Sequence, residues 1–115
     1  MMMFASLAMM AALGASMPQK NVVPVDCTHP RSPTESTICR HPQLIQMDAR
    51  LGTYFEIAIQ FVAMGTRGDL GESMDSFPAR RDKCGSSVSC ITNAYKQQME
   101  PLQAIIDRVK SHGPF

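Results

Sequence analysis

Apolar side chains recur along most of the chain at steps of three and four, the spacing of one face of an α-helix. Leu44, Met47, Leu51, Tyr54, Ala58 and Phe61 follow steps of 3, 4, 3, 4 and 3. They predict an amphipathic helix of about six turns, ended by Gly65 and Gly68. A third helix, capped by Asp69 or Glu72, carries the stripe Leu70, Met74, Phe77, Arg81 and Cys84. Pro78 lies inside it, and an interior proline costs about 3 kcal/mol, so a kink or break is expected near Met74. The last stripe, Ile91, Tyr95, Gln98, Leu102, Ile105 and Val109, predicts a fourth helix bent at Pro101. Ahead of these, Ser32-Pro33-Thr34-Glu35 is a capping box with proline at the first helical position, which starts a short helix reaching about Cys39. His41-Pro42 then restarts the chain. No strand alternation or internal repeat appears. The economical architecture is all-α: a small antiparallel bundle of one short and about three longer helices.

Two segments before the helices read differently. From Asn21 to Pro33, NVVPVDCTHPRSP has three prolines and no helical period, so it is an extended strap. Residues Met1 to Met17 form an apolar run ending in small residues, and the first nineteen positions carry no charge. This is the h-region and cleavage region of a signal peptide, cut after Gly14 or Ser16, although no Lys or Arg precedes it. A membrane anchor is the alternative, but a span needs about twenty apolar residues. A lipoprotein would need a cysteine where Ser16 stands. The expected organisation is a signal peptide at 1–17, a strap at 18–33, a helical domain at 34–110 and a tail at 111–115, in a secreted or periplasmic protein with no stable membrane insertion after cleavage.

Charge and length narrow the function. The chain has 115 residues and a formal net charge of +1. One domain of this size has no room for a separate cofactor domain, and no cofactor is expected. Nucleic acid is not expected as a partner either, because phosphate binding needs a concentrated basic surface.

Export decides how Cys27, Cys39, Cys84 and Cys90 are read. An even count in a small exported domain implies disulfides. Three connectivities are possible, and the spacing favours the local pairs Cys27 with Cys39 and Cys84 with Cys90. In the chain-entropy model each contributes roughly 2 to 3 kcal/mol. The competing reading is a zinc site from the repeated C-x-H elements Cys27-Thr28-His29 and Cys39-Arg40-His41. Usual zinc spacings place two or more residues between paired ligands, and an exported chain meets oxidant first, so no metal is expected.

Two charged residues fall on apolar stripes. Asp48 shares the buried face of the long helix with Leu44 and Leu51, and Arg81 lies on the next stripe. If the helices fold back on each other the two come to similar heights, where a bidentate ion pair satisfies both. A general acid or base would need a second carboxylate or histidine at catalytic spacing, and none accompanies Asp48. Arg80-Arg81-Asp82-Lys83 reads as a solvated helix end. With no nucleophile elbow, zinc-protease motif, phosphate loop or dinucleotide fingerprint, no catalytic residue and no enzyme is expected.

Asp26-Cys27, Thr34-Glu35, Ile38-Cys39, Pro42, Leu44, Met47-Asp48, Leu51 and Tyr54 together resemble the first half of the LprI-type lysozyme inhibitor N-terminal domain family. Phe77, Arg81-Asp82, Cys84, Cys90, Tyr95 and Leu102 resemble its closing motif, so the likeness spans about Val25 to Leu102. The chain departs from the pattern at Phe77, usually tryptophan, at Gln98, usually arginine, and at Pro78 and Pro101, which interrupt usually smooth helices. The resemblance implies an exported, helical, disulfide-bonded envelope protein, and in some members inhibition of lysozyme.

An inhibitor needs a rigid protrusion that enters the cleft and hydrogen-bonds to the enzyme's two carboxylates. The turn Gly85-Ser86-Ser87-Val88-Ser89, closed by Cys84 and Cys90, is the candidate, with Ser86, Ser87 and Ser89 as its hydroxyls. The plain alternative is an ordinary serine-rich surface turn. Lysozyme or another cell-wall hydrolase is then the expected partner, without electrostatic steering, since a basic lysozyme is steered best by an acidic partner. The competing function is an envelope structural or interaction protein without inhibitory activity.

Overall fold

A computed structural model describes residues 24–113, which form four α-helices and their connecting turns. The predicted signal peptide and the first part of the strap lie outside the described residues. Helix α1 is Pro33–Cys39, α2 Pro42–Ala58, α3 Met64–Asp82 and α4 Val88–Ser111, with one 3-10 turn at Ile59–Phe61 after α2. The all-α reading and both local disulfides hold: Cys27 is bonded to Cys39 and Cys84 to Cys90. With all four cysteines in bridges, the paired C-x-H elements have no thiolates to offer a metal.

Helix α1 starts as its capping box dictates. Pro33 supplies a preset φ, Ser32 Oγ accepts the Glu35 N–H at 3.0 Å, and Glu35 Oε1 accepts the Arg31 N–H at 2.8 Å. These bonds satisfy amides that a helix start leaves open. Helix α2 packs chiefly on α4, and α1 closes over one end of the bundle. Ile38 from α1, Leu44, Leu51, Phe55 and Ala58 from α2, Met74 and Phe77 from α3, and Ile91, Tyr95, Met99, Leu102 and Ile105 from α4 form one core. Full burial of each large aliphatic side chain is worth about 1.5–3 kcal/mol.

The second and third helices meet differently from the sequence expectation. Gly65 and Gly68 do not end α2; they lie in the first turns of α3. The chain turns earlier, where α2 tightens into the 3-10 turn and Val62 adopts an extended conformation. Neither Asp69 nor Glu72 caps α3, whose N-cap is Ala63 with no side-chain bond. Phe61, placed on the buried stripe by spacing, is 55% exposed, while Phe55 is 3% exposed. Once the helix ends at Ala58, Phe61 no longer continues the register, and the seam runs through Leu44, Asp48, Leu51, Phe55 and Ala58.

Neither proline breaks its helix. Pro78 and Pro101 both lie inside continuous α-helices and on their exposed sides. At an exposed position each ring displaces no core side chain.

Among the described residues, no helix is long and apolar enough to cross a membrane.

Candidate functional site

The turn between α3 and α4 is fixed from several directions. Gly85 has φ +58°, the left-handed conformation that lets the chain leave α3 without a Cβ penalty. The Cys84–Cys90 bridge closes the turn, with Cα atoms 5.5 Å apart. From across the fold, the buried hydroxyl of Thr34 donates to the Gly85 carbonyl at 2.6 Å, next to the Asp82 carbonyl at 3.3 Å. Thr34 is therefore a strut that ties α1 to the turn. Its place in the capping box carries no sign of this long-range bond.

The three serines divide by role. Ser87 caps α4, its hydroxyl accepting the Cys90 N–H at 3.3 Å, and its Oγ lies 3.4 Å from Ser89 Oγ. Ser86 is exposed at the apex. All three serines are exposed, but the Ser87 and Ser89 hydroxyls are partly engaged within the turn, which leaves Ser86 as the uncommitted one among the described residues.

Beneath the turn lies a buried polar network. The expected contact between Asp48 and Arg81 is not made directly; the hydroxyl of Tyr95 stands between them. It donates to Asp48 Oδ1 at 2.8 Å and accepts from Arg81 Nη1 at 3.4 Å. Arg81, 3% exposed, spends the rest of its fork on Glu35 Oε2 at 3.2 Å and on Asp82 Oδ1, 3.0 Å from both Nε and Nη2. Asp48 Oδ2 accepts the Val25 N–H at 2.8 Å, which holds the strap against the bundle. The direct pair fails because α4 packs on α2 and inserts Tyr95 at the level of Asp48. The alternation of the stripes gives no measure of that insertion.

Phe77 meets Tyr95 edge to face at 5.0 Å, and Arg81 lies 6.0 Å from the Phe77 ring centre. Among the described residues no buried side-chain N or O lacks a partner. Four elements, α1, α2, α3 and α4, meet in this network, so it fixes helix register as a buried polar cluster can. Glu35 belongs to it through a second oxygen, the first being used by the α1 cap. The signal for Tyr95 was present in the sequence, since a tyrosine on an apolar stripe needs a partner for its hydroxyl.

Burial pushes the Tyr95 phenol well above its usual range, and the adjacent Asp48 carboxylate adds to the effect, with Arg81 opposing. The sign follows directly. The folded state holds the proton more tightly than the unfolded state, whose tyrosine ionises near pH 10. Stability is fully present below about pH 10 and declines above it, as the unfolded state loses its proton first. Thermal melts across this range should show falling midpoints for the native chain and a shallower fall for Tyr95→Phe.

No group of three or more His, Cys, Asp or Glu residues able to hold a metal occurs among the described residues. Beside the turn, α3 and α4 border a groove lined by Phe77, Arg80, the bridge sulfur residues and polar side chains of α4. A second hollow, between α2 and α4, is lined by Tyr54, Met99 and a mixture of basic and acidic side chains. No family model, curated protein or solved structure matches this chain.

Proposed function

We propose that the chain is an exported, disulfide-stabilised binding protein whose α3–α4 turn enters the cleft of lysozyme or a related cell-wall-degrading enzyme. The observation that carries this reading is the fixing of the turn by three independent means: the Cys84–Cys90 bridge, the left-handed Gly85 and the Thr34 strut. A protrusion already held in its bound shape loses little conformational entropy on docking. Ser86, at its exposed apex, offers a hydroxyl to a carboxylate.

The test is a cell-wall lysis assay in which the oxidised chain is titrated against lysozyme. The expected result is inhibition that Ser86→Ala weakens by about tenfold, the loss of one hydrogen bond to a charged group. Absence of inhibition at large molar excess discards lysozyme as the target. Inhibition unchanged in Ser86→Ala discards the turn as the contact.

A second reading, an envelope interaction protein without inhibitory activity, is favoured by one feature. At the elbow between α2 and α3, Ile57, Phe61 and Met64 are 41%, 55% and 84% exposed, an apolar grouping at the opposite end of α3 from the turn.

A further inference from the structure

The groove between α3 and α4 has a volume of about 620 Å³, within the roughly 300–1,000 Å³ range of ligand pockets. Phe77 and the Cys84–Cys90 bridge give it an apolar lining, and Arg80, Ser89, Asn93, Gln97 and Gln98 supply its polar groups. One permanent cation and four neutral hydrogen-bonding side chains therefore line one groove, and among the described residues no carboxylate does.

Arg80 is held in place before any ligand arrives. Its Nη2 donates to the Ser73 carbonyl at 2.9 Å and to Gln98 Oε1 at 3.0 Å, and its guanidinium lies 5.9 Å from the Phe77 ring centre. Gln98 is itself buried and fixed, its Nε2 donating to Ser73 Oγ at 2.9 Å. Both of Arg80's hydrogen bonds use Nη2. Its Nη1 and Nε have no partner among the described residues. The contrast with Arg81 is sharp: that guanidinium is buried and shared between Glu35 and Asp82, while Arg80 is exposed and has no salt bridge among the described residues.

We infer that this groove binds an extended acidic segment of a partner protein, its carboxylate on Arg80 and its main chain against Asn93 and Gln97. A guanidinium is the side chain best matched to a carboxylate. A primary amide carries both donors and an acceptor, as a peptide group does, and two of them one helical turn apart can follow a main chain. The apolar lining takes the flanking side chain. This rests on the reading of the α3–α4 end as the partner-facing end, and does not depend on the partner being lysozyme.

The test is fluorescence anisotropy on the full oxidised chain with the peptide fluorescein-Gly-Ser-Ala-Asp-Ala-Gly-amide. Saturable binding that weakens with added salt is expected. Arg80→Gln, or asparagine in place of the peptide's aspartate, should each weaken binding about tenfold, whereas Lys83→Gln, outside the groove, should change it less than about twofold. Melting temperatures recorded on the same samples separate lost binding from lost folding. No saturable binding, or equal binding by Arg80→Gln, overturns the inference. Competition by N-acetylmuramic acid as effective as by unlabelled peptide also overturns it, assigning the groove to a sugar carboxylate. The lysis assay separates the two readings: peptide binding without inhibition supports the groove and removes lysozyme, and inhibition without peptide binding does the reverse.

Discussion

Replacing Arg81 with alanine lowers the stability of the domain by about 3–5 kcal/mol, the cost of breaking a buried charge pair by removing one partner. The guanidinium is 3% exposed and serves Glu35, Asp82 and the Tyr95 hydroxyl together. Without it, Glu35 and Asp82 face each other across a partly buried space with no cation, and α1 loses its charge link to α3. A domain of this size has about 5–15 kcal/mol in total, so the variant should populate unfolded chain at ambient temperature. Arg81→Lys should fall between the two, since it keeps the charge and loses the planar fork that reaches three acceptors. Urea unfolding monitored by circular dichroism measures both. A midpoint for Arg81→Ala equal to the native one would show that the network contributes no net stability.

The double substitution Cys84→Ser with Cys90→Ser should cost about 2 kcal/mol, the chain entropy of so short a loop. For a domain of fewer than one hundred residues that corresponds to a drop of about 10 °C in melting temperature. Cys90 lies in α4 and Cys84 two residues beyond the end of α3, so the folded state keeps the turn in place and the full effect is felt. The Cys27–Cys39 bridge closes a longer loop, 12 residues in separation against 6, for which the same model gives about 3 kcal/mol. Part of that loop, residues 28–31, is exposed strap, which gains freedom when the bridge is removed and recovers part of its entropy. The two double variants should therefore melt within a few degrees of each other, despite the difference in loop length. A change below about 3 °C for Cys84→Ser with Cys90→Ser would mean that Thr34 and Gly85 alone hold the turn. In that case inhibition in the lysis assay should also be unchanged.

Much of this fold is legible in the residues. Ser32-Pro33-Thr34-Glu35 forms the helix start it spells, because capping is decided by groups within four positions of one another. The α4 stripe from Ile91 to Ile105 is buried as spaced, since a long uninterrupted helix holds one register. The elbow after Ala58 was not legible. Gly65 and Gly68 lower helix propensity by about 1 kcal/mol each, and the actual stop comes from a 3-10 turn in which no residue type is diagnostic. The prolines leave both helices unbroken for a related reason: an interior proline is destabilising on average, and whether its ring faces outward depends on which side of the helix is covered.

The site divides along the same line. Asp48 and Arg81 stood out as charges on apolar faces, and both lie in the network. Their link through Tyr95, and the recruitment of Glu35 from α1, join residues 46 and 47 positions apart in the chain. Ser86, Ser87 and Ser89 were equivalent as sequence, and only the α4 cap distinguishes Ser87 from Ser86. Arg80 was hidden in a run of charges. It becomes a candidate ligand group because Gln98 and Ser73 hold it beside a groove that neither helix forms alone.

The sequence by itself determined the helical class and the buried face of α4 and favoured the local disulfide pairs, because each follows from residues close enough to interact along one helix or across one turn. Only the tertiary structure decided which charges pair, which serine hydroxyl is left uncommitted and where a groove opens. Those depend on the rotation and depth at which one helix packs on another, quantities set by the shapes of all the side chains between them.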